Sequence, residues 1–583
     1  MESVARCAAG AGQALPPPRA LHFCILKTPP VPGGFHGWGR PLTGPPIWPP
    51  RSLVLQSPTA GPGLTTSFGR GGRERRTEED IMSAVMQRSE PEAQGVESEA
   101  ILAFLDAVEA EHLNLHSLML VRHGHVIAEG WWRPYAPECR RYLYSLSKSF
   151  TSTAVGFAVA EGLLRVDDRV VSFFPEDLPP VVSDNLAAMR VVHLLTMSTG
   201  HTMDTLMALL NPDAENWVRA ILALPVELPP GTHFLYNSGA SYLLSAIVQK
   251  VSGQTVLDYL TPRLFEPLGI VGATWDVCPR GINTGGWGLS LKTEDIARFG
   301  PLYAQKGVWN GQRLLPPEWV QAATSAQVRN DGPGRENEPV DWRQGYGYQF
   351  WRCQHGAYRA DGAFGQFCVV MPAQDAVIVI TSETGNMQRV LDLVWEHLLP
   401  AMKLAPLPPR PATQERLRER LSSLALPLPP AQPLPPRARD LSGRRFRVEP
   451  NDLAVRSVAF SFEDDSCVFR LWDGRTEHRI VCGNGAWVRN EAILPIMRPS
   501  LMHLISSTRR EALVQVAAHS TWQDAQTLVM TWRYLETPHA DTVTCRFVGD
   551  VVEMEVASSM ADPNNPLLAG LRASLTGTLE LEG

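Results

Sequence analysis

Lysine is scarce. Six occur in 583 residues, at positions 27, 148, 250, 292, 306 and 403, so arginine carries nearly all the positive charge. The formal net charge is -7 and no basic stripe runs through the parts with folded character, which excludes nucleic acid as the expected partner. The nine cysteines are odd in number and form no CxxC pair. A disulfide framework or zinc site is therefore not expected; reduced, mostly buried thiols in a cytoplasmic protein are. His193, His201, His233 and His355 show no ligand spacing, so no metal or other cofactor is expected. No apolar run reaches the roughly 18 residues of a membrane span, and the N-terminus lacks the apolar core of a signal peptide. A G-x-S-x-G elbow is also missing, which removes support for an α/β-hydrolase.

What is present falls into four stretches. Residues 1–81 are rich in Pro, Gly and Arg, with Pro16-Pro17-Pro18, Pro45-Pro46 and Pro49-Pro50. This composition predicts a disordered extension, with Met82 or Met86 expected to begin the protein proper. Residues 82–403 carry sustained periodicity. Ile101, Leu102, Phe104, Leu105 and Val108 predict an amphipathic helix over 99–111. Two apolar runs around the turn His123-Gly124 predict a hairpin. A long helix is expected from about Ser145 to Ala160, further helices over 241–251, 255–264, 293–304 and 316–324, strands over 367–371 and 376–381, and a closing helix over 387–399. Residues 404–440 hold ten prolines, a linker composition. From 441 to 583 short alternating runs predict a small antiparallel β-domain, sandwich or barrel. The fold class expected is α/β in the α+β sense: an antiparallel sheet flanked by helices, a helical lobe, and a C-terminal all-β domain.

The chemistry concentrates at three places. Ser145 and Lys148 stand three residues apart where a loop enters the long helix, so their side chains share one face. A serine hydroxyl needs a neighbouring base to become a nucleophile, and a lysine amine serves when burial lowers its pKa. The helix N-terminus adds a positive field and free N–H groups. The second place is Tyr236-Asn237-Ser238, just before the helix over 241–251. A phenol beside an ammonium can relay protons, and Ser238 can hold the lysine or a substrate. The third is Ala360-Asp361-Gly362-Ala363-Phe364-Gly365, whose small residues let a substrate backbone approach.

Ser145-x-x-Lys148, Tyr236-x-Ser238 and the glycine-rich stretch at Gly362, in this order, resemble the β-lactamase and penicillin-binding protein superfamily of serine hydrolases, in particular its class C and family VIII esterase-like branch. Ala160–Asp168, His193–Gly200 and Gly286–Phe299 are similar to its connecting segments. The resemblance covers about residues 88–403. It implies a β-lactamase/transpeptidase-like fold and an acyl-enzyme on Ser145, with Lys148 accepting the serine proton and Tyr236 relaying protons to the leaving group and from the deacylating water. It also implies an oxyanion hole from the backbone N–H groups of Ser145 and Ala363, with Ser238 and Gly362 beside the substrate. Two departures stand out. The family's Tyr-x-Asn ends in Ser238 here, and its Lys-Thr-Gly or His-x-Gly is replaced by Ala360-Asp361-Gly362, without the cation that holds a substrate carboxylate. The expected function is thus a carboxylesterase or amidase acting on neutral small-molecule acyl substrates, with Trp287, Trp342, Tyr346, Tyr348 and Trp351 as candidate pocket residues. The alternatives are a non-catalytic penicillin-binding or ligand-sensing relative, a true β-lactamase, and a D-alanyl-D-alanine carboxypeptidase. A further alternative makes the β-domain the working part, binding a lipid or protein through Trp472, Trp487, Trp522 and Trp532. The sequence leaves the oligomeric state open.

Overall fold

The computed structural model describes residues 86–210, 215–493, 513–561 and 572–580. The expectations for residues 1–81, and those for Cys7 and Cys24, lie outside the described residues. The chain from Ser83 onward forms one compact unit. No helix among the described residues is long and apolar enough to cross a membrane.

The first layer is α1 (Ser98–Ala110). Its Ile101, Leu102, Phe104, Leu105 and Val108 are buried, at the spacing that lines one helical face. The hairpin follows as β1 (Leu115–Arg122) and β2 (His125–Trp131). All of β1 is buried. Leu118 and Leu120 meet the core under α1, and Met119 and Val121 meet the core of the helical lobe. The strand therefore separates two hydrophobic layers, which is why its sequence reads as a continuous apolar run.

After the hairpin the chain crosses through Arg140–Tyr142, pairs with Leu289–Lys292, and enters α2 (Ser147–Ala160). Residues 147–158 of α2 are all buried, hydroxyls included. Three of those hydroxyls donate to backbone carbonyls: Ser149 Oγ to Gln349 at 2.7 Å, Thr151 Oγ1 to Gly285 at 2.7 Å and Thr153 Oγ1 to Ser149 at 2.8 Å. Next to α2 lies α3 (Ser238–Ser252). α4 (Thr293–Ala304) packs Gly300 so tightly on the sheet that a Cβ there would sit 2.3 Å from Val377 Cγ1. The chain returns to the sheet as β3 (Tyr358–Gly362), β4 (Gln366–Met371) and β5 (Ala376–Ser382), and α5 (Met387–Leu393) packs against α1. The long strands run in the order β2-β1-β5-β4-β3, all antiparallel, with two-residue strands at both edges.

Residues 404–440 differ from a bare spacer. They hold α6 (Pro411–Ser423) and a shorter helix, Pro436–Leu441. Each begins on a proline, whose missing N–H costs nothing at a helix start. α6 packs on α1 and β2, with Leu417 and Leu424 buried.

The C-terminal strands are β6 (Arg445–Val448), β7 (Ser457–Glu463), β8 (Ser466–Trp472), β9 (Glu477–Asn484), β10 (Val488–Ala492), β11 (Val514–Trp522), β12 (Thr527–Tyr534), β13 (Ala540–Val548), β14 (Val551–Ser558) and β15 (Arg572–Leu579). They form one sheet that closes on itself through parallel pairing of Gly483 with His519 and Asn484 with Ser520. It is a closed barrel, which settles the choice between sandwich and barrel. Alternate residues point inward, as pleating requires: Leu528, Met530, Trp532 and Tyr534 from β12, and Val543, Cys545 and Phe547 from β13. Trp532 is thus core rather than ligand surface. None of the seven described cysteines is in a disulfide, and all are buried.

Candidate functional site

Ser145 lies in a 3₁₀ turn, Tyr144–Leu146, at the entry to α2. Tyr144 takes φ 49°, a left-handed conformation that a tyrosine adopts at a cost of about 1–3 kcal/mol. The turn leaves Ser145 half-buried while its neighbours Tyr144 and Leu146 are buried. One helical turn later, Lys148 is 1% exposed.

The Lys148 ammonium nitrogen is held on three sides. Nζ lies 3.0 Å from Ser145 Oγ and 3.3 Å from Ser238 Oγ, and donates to the Gly286 carbonyl at 2.7 Å. It also stands 4.8 Å from the centroid of the Tyr236 ring. Burial pulls its pKa down from the usual lysine range to about 7, against the opposing attraction of Asp204 and Asp361. Near neutrality a large fraction of Lys148 therefore carries a free lone pair beside the serine hydroxyl.

Ser238 faces the lysine because Asn237 is engaged elsewhere. The Asn237 Oδ1 accepts from the Gly239 and Ala240 N–H groups, capping α3, and from the Thr205 hydroxyl at 2.7 Å. The departure from the family's Tyr-x-Asn thus has a local cause: the amide is the helix cap, and the next hydroxyl points at Lys148.

Tyr236 is half-buried and stacks on Trp351, centroids 5.3 Å apart. Tyr346 and Trp351 form the wall behind it. Trp342 lies beneath the Arg359 guanidinium, 4.2 Å from its ring centroid. Trp287 and Tyr348 differ from the pocket expectation. Trp287 packs on Trp217 and Tyr348 on Trp319, both inside the hydrophobic core.

Gly362 ends β3 against the Ser145 turn. A Cβ there would sit 2.2 Å from the Leu143 carbonyl oxygen and 3.2 Å from the Leu146 nitrogen, so only glycine allows this backbone contact. Ala363 follows in a three-residue loop to β4 that includes Phe364 at φ 66° and Gly365 at φ 84°. The loop is fixed from below. Ser382 Oγ donates to the Phe364 and Gly365 carbonyls at 2.7 and 3.0 Å, and Gln366 Nε2 to the Ala363 carbonyl at 3.1 Å. At the position of the family's cation stands Ala360, followed by Asp361, which is buried and bonded to Arg359 at 2.6 Å.

Sequence reasoning missed three parts of this site. The Asp204 carboxylate accepts from the Ser238 N–H at 2.8 Å, and burial raises its pKa. The Gly286 carbonyl is a lysine partner with no side chain to reveal it. The third is His539, from the barrel, which reaches the Tyr144 hydroxyl through Nε2. Among the described residues no group of three His, Cys, Asp or Glu side chains could hold a metal ion.

Among curated proteins, the chain is 26% identical over 285 residues to a 6-aminohexanoate-dimer hydrolase of Paenarthrobacter ureafaciens, covering 45% of this chain and 71% of that one. It is 26% identical over 316 residues to penicillin-binding protein 4 of Amycolatopsis lactamdurans, covering 46% and 80%. Among solved structures, an octameric penicillin-binding protein homologue from Pyrococcus abyssi aligns over 78% of this chain and 97% of its own, with 16% identity and a TM-score of 0.43. The family model described as Beta-lactamase matches residues 106–399, half of the chain, and the chain belongs to the β-lactamase family of serine hydrolases.

Proposed function

We propose that the protein hydrolyses neutral carboxylic esters or amides through an acyl-enzyme on Ser145. The observation that carries this reading is the buried Lys148 amine, 3.0 Å from Ser145 Oγ, with burial holding its pKa near 7. In acylation the amine takes the hydroxyl proton as Oγ attacks the substrate carbonyl. The tetrahedral oxyanion is received by the N–H groups of Ser145 and Ala363. The proton passes by way of Tyr236 to the departing alkoxide or amine. Deacylation repeats the sequence with water as nucleophile, Tyr236 and Lys148 removing its proton.

The preference for neutral substrates rests on charge. Where a carboxylate-bearing substrate would want a cation, the chain has the uncharged Ala360 beside Asp361, whose charge is taken up by Arg359, and the Asp204 carboxylate adds a second negative group acting on the lysine. A lost charge-assisted hydrogen bond is worth about 1.5–3 kcal/mol, or roughly 10- to 100-fold. The relatives' names fit the breadth of this reading: one is a 6-aminohexanoate-dimer hydrolase and another, from Penicillium rubens, a lovastatin esterase. The test is a panel of p-nitrophenyl esters set beside a chromogenic cephalosporin. Short-chain esters are expected to exceed the cephalosporin in kcat/KM by about 10- to 100-fold or more. A cephalosporin turned over faster than every ester would reverse the assignment toward a true β-lactamase.

A further inference from the structure

The barrel reaches into the acyl-transfer site. The loop between β12 and β13 lies against the strand that leads to Ser145. The Glu536 carbonyl accepts from the Tyr142 N–H at 2.8 Å, the Leu535 carbonyl from Arg141 Nη1 at 2.5 Å, and the Glu536 carboxylate pairs with Arg140 at 2.8 Å. From this loop His539 enters, 1% exposed. Its Nε2 meets the Tyr144 hydroxyl, and its ring stands edge-on to Phe364 with centroids 4.5 Å apart. Tyr144 and Phe364 in turn are in edge contact at 5.3 Å.

Tyr144 immediately precedes Ser145, and Phe364 immediately follows Ala363. One imidazole from the barrel therefore touches both segments whose N–H groups would receive the oxyanion. The imidazole is itself oriented. Its Nδ1 lies 3.1 Å from Glu383 Oε1, and Glu383 is fixed by Ser559, by Asn114 Nδ2 at 3.3 Å and by Arg533 at 3.5 Å. With Nδ1–H donating to that carboxylate, Nε2 is left as acceptor for the Tyr144 O–H. Glu383 also follows Ser382, which ties down the Ala363 loop. The left-handed backbone of Tyr144 is a conformation that surrounding contacts must enforce, and the phenol–imidazole bond is such a contact.

We propose that His539 is a positioning residue for catalysis: it fixes the Ser145 turn and the Ala363 loop relative to each other, so that the β-lactamase-family domain is catalytically incomplete without its barrel. This inference rests on Ser145 being the nucleophile.

The test uses the full chain with His539→Ala, His539→Asn, His539→Gln, Tyr144→Phe and the double variant Y144F/H539A. Readouts are kcat and KM on the best ester, and the rate and site of fluorophosphonate labelling. Deleting an oxyanion donor outright costs about 10²–10³-fold. Misaiming two is expected to lower kcat and the labelling rate by about 10- to 100-fold in H539A and Y144F, with KM within about twofold. Asn reproduces the reach of Nδ1 to Glu383 and not that of Nε2 to Tyr144, so H539N should be as slow as H539A, whereas Gln, which reaches as far as Nε2, should recover most of the rate. The double variant should be no slower than the slower single one, because both remove the same contact. Wild-type kcat in H539A or H539N, or losses that multiply in the double variant, would overturn the proposal. Wild-type protein that labels away from Ser145 would instead overturn the nucleophile assignment on which it stands.

Discussion

Lys148→Met should abolish turnover while leaving the fold intact. Methionine matches the length of the lysine stem and fills the same buried channel, so α2 keeps its packing. What disappears is the amine 3.0 Å from Ser145 Oγ. A general base positioned on its nucleophile contributes about 10²–10⁴-fold, and the same group is asked to act in both acylation and deacylation. A fall in kcat/KM of at least about 10³-fold is expected, with a melting temperature equal to or above that of wild type, since a buried amine is costly to hold. The wild type supplies a companion observation. The base is competent only when unprotonated. With its pKa pushed down to about 7, kcat/KM should fall tenfold per unit as pH drops below that value and should level off above it. A lysine of ordinary pKa would keep the rate climbing past pH 9. Retention of more than a tenth of the activity in Lys148→Met would remove the lysine from the mechanism.

Gly362→Ala is expected to cost less activity than Lys148→Met, and by a different route. The added methyl would be placed 2.2 Å from the Leu143 carbonyl oxygen, a backbone atom that cannot swing aside. Strand β3 and the Ser145 turn must separate by about 1 Å, which carries Ala363 away from Ser145. Misplacement on that scale can cost about 10²-fold in rate, and overpacking about 1–3 kcal/mol in stability. Kinetics and thermal melting of the variant check both. Gly332→Ala is the control: nothing lies within 4 Å of a Cβ there, and it should behave as wild type. Full activity in Gly362→Ala would show that β3 does not need to touch the Ser145 turn.

Much of the β-lactamase-family half was legible because its signals are local. The helix 293–304 was readable to the residue from its apolar spacing, and the Ser145–Lys148 pair from a three-residue interval on one helix face. Strands over 457–463 and 527–534 alternate visibly. Arg445–Val448 is too short, and Arg572–Leu579 too polar and interrupted by glycine, to carry the same alternation. Prolines misled at 404–440. Pro411 and Pro436 start helices, and a proline at a helix start looks in sequence like one that breaks a helix. In the site the hidden parts are those whose roles exist only in three dimensions. Gly286 acts through its carbonyl, Asp204 through a backbone N–H 34 residues away, and His539 lies 395 residues from the tyrosine it touches. None belongs to a spacing pattern, so periodicity could not find them.

The central claim is that Ser145 Oγ is the atom that becomes acylated. A fluorophosphonate transfers its phosphonyl group to an activated serine with loss of fluoride, and digestion followed by mass spectrometry locates the adduct. The account predicts one adduct per chain, on the peptide containing Ser145, absent from Ser145→Ala. An adduct on any other serine, or an unmodified chain that still hydrolyses esters, would contradict it.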